Sequence, residues 1–153
     1  MQIVTSRFGT IEIAEESVIR MPEGMLGFGS ARQFVLLEDR PNTAFKWLQA
    51  VDDPALAFIV VNPLEFFPTY EIELPDEQAA SLELADGSDA VMLTTVTITG
   101  DGKITTNLLG PIIMNSRTLT AKQVVLQDDR FCAKHVICEL PSVDSQPEAA
   151  RAA

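Results

Sequence analysis

Apolar positions in this chain come in short runs, and several of them alternate with polar ones at a period of two. Over residues 10–13, Ile11 and Ile13 fall on one side and Thr10 and Glu12 on the other. Over 91–99, Val96 and Ile98 interleave with Thr95, Thr97 and Thr99. A two-residue period places successive side chains on opposite faces of a β-strand. Further strands are predicted at 2–5, 17–21, 103–109, 111–115 and 122–126. The runs 33–38, 45–51 and 57–61 are richer in continuous apolar residues, as expected of strands covered on both faces. Residues 69–74 set Tyr70, Ile72 and Leu74 against Thr69, Glu71 and Glu73, which predicts another strand. Turn chemistry separates these runs: Arg7-Phe8-Gly9, the Gly24, Gly27, Gly29 cluster after Pro22, Asp52-Asp53-Pro54 and Gly100-Asp101-Gly102.

One helix is predicted. Pro75 suits a first helical position, Asp76 and Glu77 favour the N-terminal dipole, Ala79, Ala80 and Leu82 face the core, and Asp86-Gly87 ends it. About ten strands and one helix give a mainly β fold, a small antiparallel β-barrel-like domain with one short helix, over residues 1–140. Residues 141–153, rich in Ser, Gln, Glu, Ala and Pro, are predicted to be a disordered tail.

Charge sharpens this picture. Between Lys46 and Lys103 there are eleven acids and no base, while the rest of the chain balances, so the formal charge of -11 resides in one block. Such a block repels phosphates and attracts a basic protein, so direct nucleic-acid binding is not expected. The longest apolar run, 54–61, is far short of the ~20 residues that cross a bilayer. The opening MQIVTSRFGTIEI is too interrupted for a signal peptide, and a cytoplasmic protein without a membrane partner is expected.

Catalytic candidates are few. The chain has one His, His135, three residues after Cys132, in a region without a helical apolar stripe. The stretch 24–29 lacks the Lys and Ser/Thr of a phosphate loop. Cys132 and Cys138 would lie ~20 Å apart on one strand, too far for a disulfide, and are read as reduced, packed thiols. With His135 they are too few for a metal site. No enzyme activity, cofactor or metal is expected. Phe66, Phe67 and Tyr70 around Pro68 suit core packing under a turn. Alternatively, rimmed by Glu65, Glu71 and Glu73, they suit an apolar anchor in a groove for an amphipathic helix bearing Lys or Arg. Trp47, amid apolar neighbours, is expected in the core.

Four motifs carry a family resemblance: GMLGFGSARQFVLLE (24–38), FKWLQAVDDPALAFIVVNP (45–63), NLLGPIIMN (107–115) and KQVVLQ (122–127). With RFCAKHV (130–136) they make residues 2–136 resemble the bacterial flagellar assembly factor FliW family. Cys132, Cys138 and the tail after Leu140 are not part of that pattern. The resemblance implies a small antiparallel β-barrel-like fold and a cytosolic, non-catalytic regulator. It also implies two partners, the filament subunit flagellin and the RNA-binding translational repressor CsrA, with the factor antagonising the repressor once flagellin has left. Joined to the acidic block, it makes Asp52, Asp53, Glu65, Phe66, Phe67, Tyr70, Glu71, Glu73, Asp76 and Glu77 the expected partner-binding residues. The competing reading is a small barrel that binds a flavin or another small ligand.

Overall fold

The structure of the protein, a computed structural model, describes residues 1–38, 43–84 and 88–139. The predicted tail at 141–153 and the Asp86-Gly87 helix stop lie outside the described residues. Eleven strands and one helix follow in order: β1 (Gln2–Thr5), β2 (Gly9–Glu12), β3 (Ile19–Arg20), β4 (Gln33–Leu37), β5 (Lys46–Ala50), β6 (Ala57–Val61), α1 (Asp76–Ser81), β7 (Ala90–Ile98), β8 (Lys103–Thr106), β9 (Ile112–Asn115), β10 (Ala121–Gln123) and β11 (His135–Glu139). β1 and β2 form a separate hairpin. The others form one antiparallel sheet in the order β10-β9-β7-β6-β5-β4-β3, with β8 branching from β7 and β11 paired to β8. The sheet curls until its ends meet at a single bridge, where the Arg20 amide donates to the Leu119 carbonyl at 2.8 Å. The fold is therefore mainly β and barrel-like, with one short helix, as the periodicity predicts.

Strands β4 to β6 explain their own composition. On β5, Trp47 packs with Ile59, Val61 and Ile104, while Leu48 enters the opposite cluster with Phe34, Val60 and Ile112. Both faces of the sheet are covered here, so adjacent positions such as Trp47 and Leu48 are both apolar. Gln49, fully buried, donates through Nε2 to the carbonyls of Asp53, Pro54 and Leu56. Asp53 accepts from the Ala55 amide at 3.1 Å, so the Asp-Asp-Pro element is a turn, as expected.

Several predicted elements differ. The strand at 17–21 shrinks to the two residues of β3, because a tight turn at Glu15–Ser17 precedes it, held by the Ser17 hydroxyl on the Ala14 carbonyl. Residues 69–74 are not a strand. They form an extended strap whose alternation comes from Ile72 and Leu74 packing down on Leu82, Ile113 and Val124. Pro68 and Pro75 bracket the strap and supply no N–H for a ladder. In α1, Pro75 is the cap rather than the first helical residue, and the helix closes at Leu82, followed by Glu83 at φ 55, before Asp86-Gly87 is reached. β11 was not expected. Cys132 precedes it and is exposed, so the two cysteines do not share a strand and Cys132 is not a packed thiol.

Phe34 is wholly buried at the centre of the larger cluster. Phe34→Ala should cost about 3–5 kcal/mol of unfolding free energy in denaturant titration, whereas Leu26→Ala, at an exposed loop tip, should stay within about 0.5 kcal/mol.

Candidate functional site

The strap at 71–74 stands clear of the sheet because of how the chain approaches it. Asn62 caps the turn Pro63–Glu65, its side chain accepting from the Leu64 amide at 3.0 Å. The Phe66 and Phe67 amides both bond the Pro63 carbonyl, and Tyr70 folds back on Phe67. Tyr70 then turns inward: it is 4% exposed, and its hydroxyl donates to the Leu108 carbonyl at 2.7 Å. Its ring lies edge-on to Phe131 at 4.8 Å, and Phe131 and Phe67 both meet His135. These aromatic contacts fasten the strap to the segment leading into β11.

Two open troughs flank the strap and share Ile72 and Met92, so they form one continuous surface. One, of about 550 Å³, is aliphatic, lined by Leu64, Leu74, Leu84 and Ile113 among others. The other, of about 900 Å³, runs between Glu71 and Glu73 on one wall and Leu126, Asp128 and Arg130 on the other. Arg130 holds Asp128 at 2.7 Å and keeps its carboxyl below the usual carboxylate range. That bond raises Arg130 in turn, assisted by the charges of Glu71 and Glu73. Three carboxylates against one guanidinium leave this trough acidic.

The expected partner-binding residues do not all assemble here. Glu71 and Glu73 line the acidic trough, whereas Glu65, Asp76 and Glu77 line neither trough and are exposed on the Pro63 turn and the first turn of α1. Among the described residues none of these five lies within ion-pair distance of a Lys or Arg. Asp52 and Asp53 belong to the turn held by Gln49 and by the Ser6 amide on Pro54, and they line neither trough. The aromatic trio also disperses. Phe66 leans on Phe45, Phe67 on His135, and Tyr70 is buried, so the three do not make a solvent-facing anchor.

The apolar part of the surface is aliphatic instead: Leu64, 42% exposed, with Ile72, Leu74 and Met92. Sequence reasoning missed these, although the Ile72/Leu74 alternation between two prolines was the available signal. Asp128 and Arg130 were missed because they come from the far end of the chain. Among the described residues there is no cluster of His, Cys, Asp and Glu set to hold a metal, and no helix long and apolar enough to cross a membrane.

Fold and site together define a small, curled antiparallel β domain with an open surface trough, aliphatic on one side of a strap and acidic on the other. The family profile described as FliW protein matches residues 2–137, and the chain belongs to that family. A flagellar assembly factor FliW of Geotalea uraniireducens is 41% identical, covering 97% of this chain and 96% of its own length. One from Geobacter sulfurreducens is 43% identical over 88% and 85%. A crystal structure of the flagellar assembly factor FliW superposes with a TM-score of 0.81 at 36% identity, covering 90% of this chain and 96% of that one.

Tyr70 is the single tyrosine of the chain, so its ionisation is readable alone. Burial, with Asp128 nearby, pushes its hydroxyl up to about 12. Because the folded value lies above the ordinary one near 10, the unfolded chain ionises first. The stability Tyr70 contributes is complete below about pH 10 and is lost between about 10 and 12. Tyrosinate absorbance should therefore rise late and together with unfolding, and Tyr70→Phe should flatten the alkaline fall in stability.

Proposed function

We propose that this member of the FliW family is a protein-binding regulator of flagellar assembly whose strap and troughs receive flagellin and the translational repressor CsrA. Flagellin occupies the factor while the subunit is abundant, and the repressor then silences flagellin translation. After export removes flagellin, the vacated factor captures the repressor and synthesis resumes. The observation that carries this reading is the aliphatic floor beside a net-acidic wall. A repressor that binds RNA presents a basic surface, for which Glu71, Glu73 and Asp128 are the complement. Such charges set encounter rate and partner choice, while the floor around Ile72 and Met92 supplies the apolar contacts that hold a complex. Both troughs are partly open to solvent along the strap, which suits a protein segment better than a flavin that must be sequestered.

Glu71→Lys with Glu73→Lys should slow association with CsrA about tenfold at low salt and flatten its salt dependence, measured by stopped-flow mixing across ionic strengths. Affinity and salt slope that both remain at wild-type values would remove the acidic wall from the interface.

A further inference from the structure

The strap has the side-chain pattern of a strand and none of its pairing. Glu71 and Glu73 point to solvent, and Ile72 and Leu74 point down. Among the described residues, 71–74 make no backbone hydrogen bond, to main chain or to side chain. When side chains of an extended segment point up and down, its N–H and C=O groups point sideways. Sideways here means toward the two troughs, since Ile72 borders both. An extended edge without a backbone partner among the described residues, running beside a surface channel, is a template for another strand.

We infer that the strap binds by strand addition: an extended segment of a partner protein, alternately basic and aliphatic, pairs its backbone with residues 71–74 along the acidic trough. This rests on the partner-binding reading of the trough and deepens it by naming the form of the occupant. A helix would satisfy its own backbone and leave the strap's groups unmet, whereas a strand pairs them. Charge and pattern fix the sequence class. Basic side chains on the solvent side lie across from Glu71 and Glu73, and aliphatic ones on the other face reach Met92 and Leu126. At roughly 3.3 Å by 4.8 Å by 10 Å per strand residue, about 900 Å³ accommodates roughly five residues. The chain's own last residues fit poorly, because 141–153 carry Asp144 and Glu148 and no basic–aliphatic alternation.

The test uses the full chain, isotope-labelled, and three synthetic peptides. One alternates Lys and Val over six residues. A second is the same peptide N-methylated at every other residue, and a third places Lys and Leu at helical spacing. The alternating peptide should protect strap amides from hydrogen exchange about tenfold, and N-methylation should weaken binding about tenfold. Equal binding of the methylated peptide, tighter binding of the helical one, or no protection at the strap overturns strand addition. Parallel titrations with full-length CsrA and flagellin separate the two readings. If those proteins bind and perturb the strap without protecting its amides, strand addition fails and the partner assignment stands. If they do not bind while the alternating peptide pairs with the strap, the partner assignment fails and strand addition stands.

Discussion

Everything in this molecule is hung on the division of one strand between two neighbours. The nine residues of β7 pair with β9 over Ala90–Leu93 and with β8 over Val96–Ile98, while β6 holds the opposite edge at Thr94 and Thr95. At the fork the hydroxyl of Thr106, itself buried like Thr94, lies 2.7 Å from that of Thr94 and 2.8 Å from the Thr95 carbonyl. A branch in a ladder interrupts pairing, and buried hydroxyls restore hydrogen bonds that the interruption would remove. The β9 half supplies the floor of the troughs through Met92 and Ile113. The β8 half recruits β11 and thereby brings Asp128 and Arg130 to the far wall. Floor and wall come from distant parts of the chain, and only the fork puts them side by side.

The strap completes that arrangement under an opposing constraint. Its aliphatic side chains gain by covering Ile113 and Val124, at roughly 25 cal/mol for each Å² withdrawn from water. Its backbone gains nothing comparable, since the prolines on either side remove donors and its amides meet no backbone acceptor among the described residues. The strap is thus pinned by side chains and by the Tyr70–Phe131 contact at one end, with its main chain left available. A segment held in this manner keeps its shape without consuming its hydrogen-bonding capacity. That combination is what the proposed strand addition requires.

Much of this was legible in the sequence, for a definite reason. Period-two patterns report faces, and strands such as β2 and the β7–β8 hairpin follow from them directly. Faces are not pairing, however, and residues 69–74 show the difference: the alternation was real and the ladder was not. Phe66, Phe67 and Tyr70 looked like one anchor because they are neighbours in sequence, yet the turn at Pro63–Glu65 sends Phe66 to Phe45 while Phe67 and Tyr70 turn inward to Phe131 and His135. Asp128 and Arg130 were invisible as site residues because their placement depends on β11, whose sequence carries no clean alternation. The Asp-Asp-Pro turn was read correctly, since its chemistry is local.

The acidic block shows how far charge counting carries an argument. Folding separates its members. Asp89 pairs with Arg117 and Asp101 with Lys103, and Asp52 and Asp53 sit on a turn that borders neither trough. At physiological salt, fields from exposed charges decay within about 8 Å, so distant carboxylates add to general repulsion more than to recognition at the strap. Glu71 and Glu73 differ because they stand directly above the trough, with Asp128 opposite and Arg130 offsetting one charge. On the proposed partner-binding reading, selectivity at this surface would belong to a few carboxylates placed around an aliphatic floor rather than to the sum over the chain. A surface that steers with a small number of solvated charges and holds with shallow apolar contact forms complexes quickly and also releases them.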